Sequence, residues 1–356
     1  MNTPESGGPA ILIVRLSAIG DIVFASPLIH ALRRRYPAAR ISWLVQPESR
    51  ALLAHHPELD EVIVWPRAEW QALWKARRIR GLWRSIRRFR KDLRARRFDI
   101  ALDVHSLLKS GVLTWLSGAQ QRIGLGSREG SQWLMTRVID KGEDSKRIGS
   151  EYLHLARELG LPADDFEMQV TLGDADERFA RALIDECELR NGYAVICPFT
   201  TRPQKHWFEA SWIELAGQLQ RRLGLPVVLL GGPDDRAAAA RIQTGVNGAL
   251  TSLVGETDLT QAAAMVKHAG LVIGVDTGLT HMGIAFRRPC IALFGSTCPY
   301  LDTTHDNAVV LYHKLACSPC KRNPTCHGRF DCMRAITVSE VLEQARRLLQ
   351  GRGTSR

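Results

Sequence analysis

Short apolar runs that end in a turn and lead into a helical stretch recur along the whole chain, and this alternation restricts the fold more than any other feature. Ile11–Leu16 is apolar except for Arg15 and ends in the turn Ser17-Ala18-Ile19-Gly20-Asp21. One helical stretch then runs to about Arg35, where Tyr36-Pro37 stops it. Ile41–Val45, Val62–Trp65 and Ile100–Val104 are further runs of this kind. Runs that are apolar on both faces predict parallel strands covered by helices on either side. A polar, acidic stretch without periodicity surrounds Leu161-Pro162-Ala163-Asp164-Asp165, so a linker is expected near residues 161–180. The pattern then resumes with Tyr193–Pro198, Val227–Gly231, Leu271–Val275 and Cys290–Phe294 as strands. Helices are expected at Ser211–Leu223, Asp235–Val246, Leu259–His268 and Leu279–Phe286. At 356 residues the chain exceeds one comfortable core. The reading is therefore an α/β protein of two doubly wound domains, 9–170 and 181–336, with an amphipathic C-terminal helix at 337–351. Such domains bind ligands outside the carboxyl ends of their strands.

Apolar residues at 45% and charged residues at 24% are those of a soluble globular chain. No apolar run reaches the roughly 18–20 residues of a membrane span. The start, MNTPESGGPA, lacks the basic and apolar regions of a signal peptide, so a cytoplasmic location is expected. The formal charge of +11 is concentrated between Arg67 and Arg97, where thirteen Lys/Arg face only Glu69 and Asp92. That excess equals the net charge of the whole chain and implies an anionic partner. Trp70, Leu73, Trp74, Trp83, Ile86 and Phe89 recur through this stretch at near-helical spacing. They read equally well as core anchors and as lipid contacts. No aromatic platform or RNA motif accompanies them, so nucleic acid is not the expected partner.

Three turns in the second half follow strands. Val275-Asp276-Thr277-Gly278-Leu279-Thr280-His281 opens a helix, and free N–H groups at a helix start suit a phosphate. Gly278 permits close approach, Thr277 offers a hydroxyl, and His281 lies one turn on. Asp276 and Thr277 serve equally well as helix caps. In Pro198-Phe199-Thr200-Thr201-Arg202-Pro203-Gln204-Lys205-His206-Trp207, two hydroxyls and Lys205 form a second possible anion clamp. Gly231-Gly232-Pro233-Asp234-Asp235 reads as a helix cap. From spacing alone, Asp21 is also a capping carboxylate, with a catalytic base as the alternative.

Four of the eight cysteines, Cys317, Cys320, Cys326 and Cys332, fall within sixteen residues. In a reducing compartment this spacing predicts a structural iron or zinc site, with His327 as a substitute ligand.

The segments Leu16-Ser17-Ala18-Ile19-Gly20-Asp21, Asp103-Val104-His105-Ser106-Leu107-Leu108-Lys109-Ser110, Thr200–Trp207 and Val275–His281, in that order, resemble the lipopolysaccharide heptosyltransferases of glycosyltransferase family 9. The basic stretch after Val64-Trp65-Pro66 is most similar to the heptosyltransferase I branch. The resemblance implies a GT-B fold, two Rossmann-like domains facing across a cleft, with an ADP-heptose donor, inversion at the anomeric carbon and no catalytic metal. It implies Asp21 as general base, which reverses the preference for a cap. Thr200, Thr201, Lys205, Asp276, Thr277, Gly278 and His281 would hold the donor, and Arg67, His105 and Lys109 are candidates for acceptor binding. Where many relatives read Asp-x-Gln-Gly, this chain has Asp103-Val104-His105-Ser106. The cysteine knuckle resembles the iron finger of protein heptosyltransferases that modify autotransporters, so a Ser of a protein is an alternative acceptor to the Kdo/heptose inner core. The basic segment favours the lipid acceptor and a peripheral position at the inner face of the inner membrane. The reading from a different class is a non-catalytic binder of nucleotide sugars or anionic polymers.

Overall fold

The computed structural model describes residues 7–143, 146–246, 250–321 and 323–351. One compact unit takes the described residues up to 143 with Gly149–Thr171, and the other takes Lys146–Ile148 and the described residues from Leu172 onward.

In the first unit the order is β1 (Ala10–Val14), α1 (Ile19–Ala25), α2 (Pro27–Arg35), β2 (Arg40–Val45), β3 (Glu61–Val64), α3 (Arg67–Lys75), α4 (Ile79–Ala95), β4 (Ile100–Asp103), α5 (Leu108–Ser117), β5 (Gln121–Leu125), β6 (Arg137–Ile139) and α6 (Ser150–Glu158). The strands form one parallel sheet in the order β3-β2-β1-β4-β5-β6. Side chains alternate across β1, so Ile11 and Ile13 enter a core with Leu28, Ile29, Trp43 and Tyr152, while Leu12 and Val14 enter one with Phe89, Leu93, Leu113 and Leu116. This is why the strand reads as apolar throughout.

The expected single helix to Arg35 is two, because Pro27 has no N–H to donate and the Ser26 hydroxyl bonds back to Val23 O at 2.7 Å. The basic segment also forms two helices, with Arg77 between them at φ +54°. The expected linker is shorter than 161–180. Helix α7 (Asp174–Glu186) begins inside it, where the Asp176 carboxylate accepts from Gly173 N at 3.1 Å.

The second unit continues with β7 (Ala194–Cys197), α8 (Glu209–Leu223), β8 (Val227–Leu229), α9 (Arg236–Gly245), β9 (Leu250–Ser252), α10 (Leu259–His268), β10 (Leu271–Val275), α11 (Gly278–Ala285), β11 (Cys290–Phe294), β12 (Ala308–Tyr312), α12 (Asp331–Arg334) and α13 (Val338–Gln350). Its parallel sheet runs β12-β11-β10-β7-β8-β9. Read from the other edge, this is the same order as the first sheet. The core gathers Ile196, Ile273 and Leu293 with Trp212 and Leu215 of α8 and Val341 of α13. In both units the order reverses between the first and fourth strands, which opens a crevice at their carboxyl ends. The turns after β1, β4, β7 and β10 lie at those two places.

Candidate active site

The turn after β10 is built on a close approach that only glycine allows. A Cβ at Gly274 would meet Thr280 Oγ1 at 2.1 Å and Cys197 Cβ at 2.8 Å. Thr280 is buried and donates to Val275 O at 2.8 Å, which ties the start of α11 to the strand. Thr277 occupies the N-cap position of that helix, but its side chain makes no capping bond. Asp276 is instead held by side chains. Its Oδ2 takes Lys205 Nζ at 2.5 Å and the Thr297 hydroxyl at 2.8 Å, and its Oδ1 faces His281 Nε2 at 3.1 Å. Burial alone would raise this carboxyl, but His281 and Lys205 hold it well below the usual carboxylate range.

His281 Nδ1 lies 2.8 Å from the Tyr300 hydroxyl. Burial pushes the Tyr300 phenol far up, so its hydroxyl stays protonated. Thr200 and Thr201 follow β7, and Lys205 ends a short 3-10 turn, Pro203–Lys205, beyond them. Among the described residues no partner meets the hydroxyls of Thr200, Thr201 or Thr277. The crevice of this unit therefore presents a helix start, three uncommitted hydroxyls and an ammonium already pinned by a carboxylate. That set suits an anion flanked by hydroxyl groups. The neighbouring Gly231–Asp235 turn behaves as a cap, Asp235 accepting from Gly232 N at 2.8 Å.

In the first unit Asp21 sits in the first turn of α1. Its Oδ2 accepts from Ala18 N at 3.2 Å and pairs with the Arg15 guanidinium. Its Oδ1 has no partner among the described residues, and the side chain is 39% exposed. The carboxylate thus holds the helix start through one oxygen and keeps the other open. Arg15 is buried and donates through Nη1 to Val104 O at 2.6 Å. The sequence signal for it was present, a single cation in the apolar run Ile11–Leu16, but pattern alone gave it no role. Thr297 and Tyr300 left no comparable mark.

The turn after β4 holds His105, whose Nδ1 lies 3.0 Å from Ser17 O. Burial, with Arg15 and Lys109 nearby, pushes the imidazole down to about 3, so the ring is neutral and Nδ1 is the donor. Its Nε2 is buried without a hydrogen-bond partner among the described residues. Asp103 beneath it accepts from His105 N, Ser106 N and the Ser110 hydroxyl at 3.1, 3.2 and 3.0 Å, and burial pushes its carboxyl up to about 6. Lys109 is lowered by burial and then by Arg67, which places two cations within reach of each other beside this turn.

The four cysteines of the expected metal site lie in the stretch after β12. Cys326 and Cys332 are buried and Cys317 and Cys320 half-buried, yet among the described residues no three or more Cys, His, Asp or Glu are placed to hold a metal ion. The thiols do sense one another: burial raises Cys320 and Cys332, and Cys317 adds to both.

Two parallel sheets of one strand order, each with polar turns at its switch point, are the architecture of doubly wound α/β proteins. The model of glycosyltransferase family 9 (heptosyltransferase) matches residues 86–329, and the chain belongs to that family. It is similar to lipopolysaccharide heptosyltransferase 1 of Pseudomonas aeruginosa, with 28% identity over 89% of this chain and 87% of the relative. Among solved structures, a family 9 glycosyl transferase from Veillonella parvula superposes with a TM-score of 0.82 at 19% identity, covering 98% of this chain and all of that one. Escherichia coli heptosyltransferase WaaC with ADP-2-deoxy-2-fluoro heptose superposes at 0.71 and 24% identity, covering 95% and 99%.

Proposed function

We propose that this glycosyltransferase moves heptose from ADP-heptose to the Kdo/heptose inner core of lipopolysaccharide, with inversion at the anomeric carbon. The observation that carries the reading is the Lys205–Asp276–His281 cluster beside the uncommitted hydroxyls of Thr200, Thr201 and Thr277. A sugar diphosphate supplies what that cluster lacks: phosphate oxygens for the hydroxyls, Lys205 and the N–H groups at Gly278, and sugar hydroxyls for Asp276. Asp21 Oδ1 takes the proton from the acceptor hydroxyl. The freed oxygen attacks the anomeric carbon as the bond to the diphosphate breaks. The negative charge leaving with ADP meets Lys205 and the start of α11. Arg67, Lys109 and His105 receive the acceptor, the two cations matching its carboxylates and phosphates. Because the acceptor is lipid-linked, the enzyme works at the inner face of the inner membrane.

The test is ADP release from ADP-heptose with a Kdo-containing lipid acceptor and a serine-bearing protein acceptor offered side by side. Turnover on the lipid supports the reading. Turnover on the protein alone moves the enzyme to protein glycosylation, and binding without turnover makes it a binder. A structural iron or zinc at Cys317, Cys320, Cys326 and Cys332 requires the loop to close on the metal. One metal per chain in the purified protein supports it, and traces only end it.

A further inference from the structure

We propose that the helical layer α3–α4–α5 of the first unit is a docking surface for an anionic lipid bilayer, entered by tryptophans and held by flanking arginines. The proposal gives the peripheral location named above a surface and residues of its own. The structure separates the aromatics that the sequence left ambiguous. Trp70 and Phe89 turn inward and meet edge to face at 5.6 Å, and Trp70 Nε1 donates to Ser85 Oγ at 3.0 Å. Trp74 and Trp83 of the same segment turn outward and are 66% and 62% exposed.

Of nine large apolar side chains exposed among the described residues, seven lie on this layer and the short 3-10 turn Ser131–Leu134 packed against it. On α4, Ile79 and Trp83 stand one turn apart. On α5, Leu108, Val112 and Trp115 occupy successive turns of one face. The two stripes run along neighbouring edges, since the Arg90 guanidinium sits 5.8 Å over the Trp115 ring and Arg94 packs against Gly118. Ser131 packs against Gly111 of α5, which brings Trp133, 85% exposed, to the far side of the same layer.

Exposed apolar surface of this extent calls for a partner. The charge selects which one. Eleven of the thirteen cations between Arg67 and Arg97 are exposed, and only Arg88, at 3.6 Å from Glu69, and Arg96, on Glu61, form ion pairs among the described residues. Tryptophan belongs at the boundary between headgroups and acyl chains, and unpaired arginines beside it match anionic headgroups. A nucleic acid would use the cations but leave Ile79, Leu108 and Val112 without a role. No helix among the described residues is long and apolar enough to cross a membrane, so the contact is peripheral.

The full chain is floated with vesicles of phosphatidylcholine alone or mixed with phosphatidylglycerol, without donor or acceptor, so the result is independent of heptose transfer. The expected outcome is binding to the mixed vesicles only, weakened by salt, with a blue shift of tryptophan emission. Combined Trp83→Ser, Trp115→Ser and Trp133→Ser lowers the affinity at least tenfold and abolishes the shift. Arg80→Glu, Arg84→Glu and Arg87→Glu each lower it about fivefold. Unchanged circular dichroism and ADP affinity show that the variants fold. No flotation with the mixed vesicles, undiminished binding of the tryptophan variant, or tighter binding to duplex DNA than to the vesicles would overturn the proposal.

Discussion

At Asp21 the two carboxylate oxygens differ, Oδ2 being engaged within the fold and Oδ1 open among the described residues. Because Oδ2 alone holds the helix start and Arg15, Asp21→Asn keeps an oxygen for those contacts while losing the base. Transfer should fall by about two to four orders of magnitude in kcat, with ADP affinity unchanged; a kcat within a few-fold of the parent removes Asp21 as base. Asp103 carries a prediction that turns on pH. Its carboxyl titrates near 6 in the folded chain, above its ordinary value, so the folded state binds the proton more tightly than the unfolded one. Its contribution is most favourable below about pH 4 and is lost as pH rises through about 6, roughly 3 kcal/mol in all. Asp103→Asn should remove that slope, so the stability difference between parent and variant, measured by denaturant titration, should change by roughly 3 kcal/mol from pH 4 to 7. A parallel pair of curves would mean that Asp103 is ionised at no unusual cost. At His281, Tyr300→Phe deletes the hydroxyl that lies 2.8 Å from Nδ1, a loss of about 0.5–1.5 kcal/mol. The KM for donor should rise while the pH profile of kcat keeps its shape; an unchanged KM excludes Tyr300 from positioning the cluster.

At the scale of elements, legibility followed burial. The central strands β1, β2, β4, β7, β10 and β11 are short apolar runs because both faces are covered, and the sequence shows them within a residue or two. The strands it hid are those beyond the centre. Gln121–Leu125 and Arg137–Ile139, the last two strands on one side of their sheet, begin on polar residues, and Leu250–Ser252 is three residues long. Their pairing depends on a neighbour already in place, which no local window records. The basic segment was legible as helix but not in its sidedness, because Trp70, Trp74, Trp83 and Phe89 are equivalent on paper. Packing makes them unequal, and stability measures it. Phe89→Ala empties a core position beside Leu93 and Trp70 and should cost about 3–5 kcal/mol, whereas Trp83→Ala should stay within about 0.5 kcal/mol. Equal losses in urea unfolding would show that α4 is docked through both faces.

At the scale of the molecule, one strand order used twice places four turns at two switch points, and all of the candidate base and donor residues fall on three of them. The fourth, after β4, carries His105 and Lys109. The candidate donor residues stand out in the sequence because they cluster at strand ends, whereas Thr297 comes from the loop after β11 and reaches Asp276 from twenty-one residues away. Each unit has cores of its own, so a ligand confined to one unit stabilises that unit selectively. ADP at a hundredfold excess over its Kd should protect the second unit by about 2.7 kcal/mol. Hydrogen exchange resolved by segment would show this as slowed amides in β10 and at the start of α11, with β1 and α1 unchanged. Lys205→Ala should abolish the effect, since the ammonium is the only fixed cation assigned to the diphosphate. Protection that appeared in β1–α1 instead, or that survived Lys205→Ala in full, would place the nucleotide elsewhere and with it the reading of the Asp276 turn as its seat.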